Sequence, residues 1–143
     1  MIVHPAVIVH GLDDARAALA PGLPVTLLSA PAAALFAGCL WWRQMVAAAR
    51  LDYKDTEAID VLDCADGSGM AMAALRSGVC RLVVWPNAPG WDRLAAIAGR
   101  QGGFIVTRAP SALDLAERNA IRRLHLWLLD SGRAGGDSSA SVR

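Results

Sequence analysis

The chain has 143 residues, of which 55% are hydrophobic and 19% are charged. This length suits one domain with one core, and the apolar content excludes disorder as the main state of the chain. Fourteen basic residues nearly balance thirteen acidic ones, and no basic block occurs, so we expect no nucleic acid among its partners.

Five short runs rich in Val, Ile and Leu, each bounded by Gly, Pro, Asp or Ser, predict five β-strands. The predicted strands are Ala6–His10, Val25–Ser29, Ile59–Asp63, Leu82–Trp85 and Phe104–Thr107.

Five helical segments alternate with these strands, judged from capping residues and terminators. They run from Asp13 or Asp14 to Pro21, from Pro31 to about Arg50, from Gly69 to Ser77, from Gly90 to Gly102, and from Ser111 to about Asp130. The last segment opens with a capping box, because Asp114 follows Ser111 by three residues.

Strands that alternate with helices predict parallel pairing through right-handed crossovers, with helices on both sheet faces. We therefore expect an α/β three-layer sandwich with a five-stranded parallel sheet in the flavodoxin-like order 2-1-3-4-5. A Rossmann-type half is the alternative. Residues 1–130 are predicted to form the single domain, and the polar residues 131–143 a flexible tail.

Ligands of such sheets bind at the carboxyl ends of the strands, where the strand order reverses. In the order 2-1-3-4-5 this crevice lies between the loops after strands 1 and 3. Its candidate residues are His10, Asp13, Asp14, Asp63, Asp66, Gly67, Ser68 and Gly69. The Asp, Gly and Ser residues among them are also ordinary capping and turn residues, so no catalytic role and no metal-ligand set is assigned.

The turn Gly67–Ser68–Gly69 admits two interpretations. Backbone N–H groups at the start of a helix can bind a small anion, with help from Ser68. Asp63 and Asp66 would repel that anion, so we interpret the turn as packing and capping. In this interpretation, Gly69 allows the helix to approach the strand closely.

The stretch VLDCADGSGMAMAALRSG (61–78) resembles the first motif of class I methyltransferases that bind S-adenosylmethionine. Asp63, Gly67 and Gly69 match that motif, whereas Ala65 replaces its first glycine. The resemblance also implies an acid after the next strand to hold the ribose hydroxyls, where this chain has Trp85 to Asn87.

Three carboxylates resemble the phosphorylation site of response-regulator receiver domains. Asp13 and Asp14 match the acidic pair after strand 1, and Asp63 matches the phosphoacceptor after strand 3. The resemblance implies the order 2-1-3-4-5 and a regulatory role through a protein partner. Trp85 and Arg108 lie nearest to the places where a receiver has Ser or Thr and Lys.

The sequence carries few signals of location. Cys39, Cys64 and Cys80 are widely spaced and odd in number, so neither a disulfide framework nor a zinc site is predicted, and a reduced cytoplasm is favoured. Residues 17–42 are uncharged, but prolines and a glycine interrupt them, so we expect no membrane span. No signal peptide is recognised at the first residues, and the predominance of arginine over lysine suggests a bacterial source.

The predicted helix 31–50 carries two apolar stripes. One includes Trp42 and Val46, and the other includes Trp41 and Met45. Because covering a sheet needs one stripe, we predict that Trp41 and Met45 form a homodimer interface. The final helix is the alternative interface, and a helix wedged between two others of the same domain explains the second stripe equally well.

The sequence therefore favours a small cytoplasmic α/β module that self-associates and is not catalytic, with no predicted cofactor. A small-molecule or Mg²⁺-dependent phosphate-binding enzyme is an alternative, with the metal on Asp13, Asp14 and Asp63. A degenerate receiver-like regulatory domain is the third hypothesis.

Overall fold

The computed structural model describes residues 2–129, so the predicted tail 131–143 lies outside the described residues. The elements in chain order are β1 (Ala6–Ile8), α1 (Leu12–Leu19), β2 (Val25–Leu28), α2 (Ala33–Phe36), α3 (Cys39–Asp52), β3 (Ala58–Asp63), α4 (Ser68–Arg76), β4 (Arg81–Val83), α5 (Trp91–Arg100), β5 (Phe104–Val106) and β6 (Ala112–Asp114). Residues 120–129 form a further helix, α6.

All five predicted strands are present, but the predicted helix 31–50 is broken into α2 and α3. The break lies at Gly38, whose φ of 85° is left-handed and incompatible with a continuous helix. The named stripe residues Trp41, Trp42, Met45 and Val46 all lie on α3, after the break.

The helix predicted from Ser111 begins later than expected, and its capping box is not formed. Ala112–Asp114 is instead a sixth strand, and α6 starts after Asn119, whose φ is 61°. Leu113 and Leu115 are buried, while the residues between and beside them are not. This alternation has the period of a strand, which local capping signals did not reveal.

The six strands form one sheet in the order β5-β4-β3-β2-β1-β6, and every neighbouring pair is parallel. The predicted α/β class with a parallel sheet is confirmed, but the strand number and the order 2-1-3-4-5 are wrong. Each strand from β2 to β5 pairs with the strand that precedes it in the chain, always on the same side. Only β6 pairs with the other side of β1. Nothing in the local sequence specifies on which side a strand adds, because either choice buries the same residues.

The connection from β5 to β6 shows that the sheet curves. Only residues 107–111 join these opposite edge strands, so the chain from Val106 to Ala112 reaches about 22 Å at most. In a flat sheet, five strand spacings would separate the edges by about 24 Å. The sheet must therefore bend so that its two edges approach each other.

Two apolar clusters lie on the opposite faces of this sheet. The larger one contains buried residues from all six helices, including the fully buried Trp42. The smaller one consists of strand residues and Ile2, and Val61 and Val83 within it are fully buried. None of the helices within residues 2–129 is long and apolar enough to cross a membrane.

Candidate functional site

In the observed strand order, the direction in which successive strands are added to the sheet reverses at a different place from the one predicted. Strand β2 lies between β1 and β3, so the loops after β1 and β3 are about 10 Å apart and do not flank the crevice that the order 2-1-3-4-5 required. The order now reverses between β1 and β6. Ligand sites of parallel sheets lie at this kind of position.

A histidine and a carboxylate meet at the new reversal point. His10 follows β1, Asp114 ends β6, and His10 Nε2 lies 2.6 Å from Asp114 Oδ1. An ionised carboxylate only accepts hydrogen bonds, so Nε2–H is the donor. The two side chains are 37% and 30% exposed. The carboxylate fixes the orientation of an imidazole that solvent can reach.

The chain around this pair further fixes Asp114. Burial opposes its ionisation, but a hydrogen bond from Ala116 N–H and the bond and charge of His10 outweigh that effect and lower the pKa of Asp114. On the β1 side, His10 N–H donates to Asp14 Oδ2 at 2.9 Å. Asp13 is exposed. Of the predicted candidates, the structure brings His10 and Asp14 together.

The sequence interpretation missed Asp114 as a site residue. The available signal was the alternation of apolar and other residues at 112–115, which marks a strand whose last residue would lie at the carboxyl edge of the sheet. The apparent capping box hid that signal, because it assigned Asp114 to the first turn of a helix.

The other half of the predicted crevice is a self-contained turn. Asp63 ends the central strand β3, as predicted, and is buried. Its Oδ1 accepts a hydrogen bond from Ala65 N–H at 2.9 Å, and its own N–H donates to Ser29 Oγ at 2.9 Å. The Asp63 carboxylate holds Ala65 at a left-handed φ of 48°, which is its structural role here.

The two glycines of this turn have different surroundings. A Cβ on Gly67 would lie 2.4 Å from Cδ2 of Leu35, whereas a Cβ on Gly69 would meet nothing within 4 Å. The expectation that Gly69 admits a close contact is therefore wrong, and Gly67 has that role. Ser68 Oγ donates to the carbonyl of Pro89 at 2.6 Å, while Asp66 is exposed.

The cysteine beside this turn is not available as a nucleophile. Cys64 is fully buried, and burial, assisted by the charges of Asp63 and Cys39, raises its pKa to about 12. The thiol therefore stays protonated at neutral pH. Among residues 2–129, no group of three or more His, Cys, Asp or Glu side chains could hold a metal ion.

A second surface feature lies at the junction of α2 and α3. Leu35, Phe36, Leu40 and Trp41 are exposed by 46%, 72%, 56% and 36%, and we call these four residues the apolar elbow. Trp41 thus remains an interface candidate. Met45, predicted to join it, is buried in the core of its own chain.

No protein-family model matches this sequence, and comparisons with curated proteins and with solved structures find no match either. The two resemblances noted above therefore depend on their motifs alone. The observed strand order also departs from the order that the receiver resemblance implies, because β2 separates Asp63 from Asp13 and Asp14.

Proposed function

We propose that this chain is a small α/β module of the bacterial cytoplasm that acts by self-association, as a twofold homodimer formed through the apolar elbow. The observation that supports this proposal is the concentration of apolar surface at one place. Of the ten exposed large hydrophobic side chains in residues 2–129, four lie within residues 35–41. Contiguous apolar surface of this kind marks interaction sites.

The charge around the elbow favours a second copy of the chain as the occupant. Residues 17–42 contain no charged side chain, so the four elbow residues themselves bring no like charges together in a twofold contact. The exposed face of α6, the alternative interface, also carries large apolar residues such as Leu126. It includes the exposed Arg122, which a twofold contact would bring close to its own copy.

Sedimentation at micromolar concentration tests this proposal. The wild-type chain should sediment at twice the 15.0 kDa monomer mass, and Phe36→Glu or Trp41→Glu should give monomers, because either carboxylate would be desolvated in the contact. Leu126→Glu, at an exposed position on α6, is the matched control and should leave the dimer intact. A monomeric wild type, or a dimer that only Leu126→Glu dissociates, would overturn the proposal.

The His10–Asp114 pair supports a second candidate function, proton transfer to or from a small molecule. A carboxylate that orients one ring nitrogen leaves the other free to act as a general base, and the pair lies where the strand order reverses. This function needs no contribution from the turn at Asp63, and it is compatible with a dimer formed through the elbow.

Hydrolysis of an activated ester such as p-nitrophenyl acetate probes this second function. We expect His10→Gln to abolish the activity above background, and Asp114→Asn to reduce it by about tenfold or more, because the imidazole loses its orientation. His125→Gln removes another exposed imidazole and is the matched control. Equal losses from His10→Gln and His125→Gln would show that any exposed imidazole suffices.

A further inference from the structure

A cavity of about 220 Å³ lies at the amino end of the sheet, away from the strand ends described above. It is bounded by α3 on one side and by the segment that leads into β4 on the other. The residues of α3 that line it are Arg43, Val46, Ala47 and Arg50, and Asp60 and residues 78–81 complete its wall.

The sequence explains why space remains here. Arg43, Ala47 and Arg50 are spaced by four and three residues, so they lie on one face of α3. The short Ala47 side chain leaves a gap between the two arginines. Opposite it, Gly78 has a left-handed φ of 84° and no side chain, and a Cβ there would meet nothing within 4 Å.

Positive charge predominates in this cavity. Three arginines line it, at positions 43, 50 and 81, against the single carboxylate of Asp60. That carboxylate is already engaged, because it lies 3.5 Å from Arg50 Nη1 and accepts a hydrogen bond from Trp42 Nε1 at 3.3 Å. Within residues 2–129, Arg43 and Arg81 form no ion pair.

One guanidinium in this group is held in place. Arg50 Nη2 also donates to the backbone carbonyl of Ala58, so two contacts fix its position beside the cavity. A fixed guanidinium loses little conformational entropy when it binds an anion, and its planar fork suits phosphate and carboxylate oxygens.

The helix end beside the cavity does not oppose an anion strongly. The carboxyl end of α4 precedes Gly78, and free carbonyls there would repel negative charge. The carbonyl of Ala74 accepts from Val79 N–H, and that of Leu75 accepts from Gly78 N–H and Gln101 Nε2. These carbonyls are therefore satisfied by the chain itself.

We propose that this cavity is a binding site for a small phosphate-bearing molecule, held by Arg43, Arg50 and Arg81. The site is distinct from the glycine turn that the sequence suggested for an anion, and it requires neither the dimer nor the His10–Asp114 pair. A compact dianion matches both the volume and the excess of guanidinium groups.

An amide NMR titration with inorganic phosphate and phenyl phosphate, at constant ionic strength, tests the site. We expect saturable shifts at the amides of Gly78, Val79 and Cys80. Arg43→Gln should raise the dissociation constant by about tenfold. Ala47→Leu, at an exposed helix position, should fill the cavity and abolish the shifts while the chain stays folded.

Arg93→Gln removes an exposed arginine of α5 outside the cavity and is the charge-matched control. Its phosphate affinity should equal that of the wild type, and so should that of the Phe36→Glu monomer. An absence of saturable shifts at millimolar phosphate, or equal weakening by Arg43→Gln and Arg93→Gln, would overturn the proposal. Loss of binding in Phe36→Glu alone would place the anion at the dimer contact instead.

Discussion

Two polar features at the carboxyl edge of the sheet use their carboxylates differently. Asp63 is buried, and its carboxylate accepts a hydrogen bond from Ala65 N–H within its own turn. Asp114 is partly exposed and contacts the imidazole of another loop, 104 residues away in the chain. The feature with a ligand-like motif stabilises the fold, whereas the feature without a motif presents an imidazole–carboxylate pair to solvent.

A glycine-rich turn after a strand is therefore weak support for a ligand site. Ser68 Oγ is engaged by Pro89, and Leu35 packs against Gly67. The Ser68 hydroxyl, which would help to bind a phosphate here, is therefore already engaged by the chain. His10 and Asp114 become neighbours only when β6 pairs with β1.

Removal of the buried Asp63 carboxylate should change the free energy of unfolding most. Asp63→Ala should lower the free energy of unfolding by about 1–3 kcal/mol, because the Ala65 N–H would lose its acceptor inside the protein. Asp63→Asn keeps an oxygen acceptor and is the matched control, with a clearly smaller loss. Urea unfolding measures both. Equal losses in the two variants would show that the charge of Asp63, and not its hydrogen bond, matters.

Substitutions of the two glycines of the turn should change the free energy of unfolding by less, and in opposite directions. Gly67→Ala should destabilise the chain by about 1 kcal/mol, because Leu35 must move and the carbonyl of Cys64 lies 3.2 Å from the new Cβ. Gly69→Ala lies in α4 with open space around its Cβ, so it should stabilise by up to about 1 kcal/mol. Thermal unfolding compares them, and destabilisation by Gly69→Ala alone would refute the assignment.

The smallest change in the free energy of unfolding concerns the His10–Asp114 pair, and it depends on pH. The folded chain lowers the pKa of Asp114, so its ionisation stabilises the fold above the ordinary carboxyl pKa, and this contribution is lost as pH falls through the folded pKa. The difference in unfolding free energy between wild type and Asp114→Asn should therefore shrink upon acidification. Asp13→Asn, at an exposed position, is the control, and a difference that grows in acid would contradict the sign.

Several parts of the fold were predictable because they depend on local pattern. Continuous apolar runs bounded by turn residues marked β1 to β5, and Gly78 marked the end of α4. Asp63 was placed at the end of a strand for the same reason. The break at Gly38 and the strand at 112–114 were missed, because a single glycine is tolerated in many helices and a capping box fits helix and turn alike.

The local sequence pattern is enough to specify a parallel α/β sheet, since the alternation of strand and helix periods leaves few other ways to bury the apolar residues. The strand order follows only from tertiary pairing, because a strand placed on either side of its predecessor satisfies the same local pattern. That order separates Asp63 from Asp13 and Asp14 and joins His10 to Asp114. The positions of the candidate site residues thus follow from long-range pairing, which no short stretch of the sequence encodes.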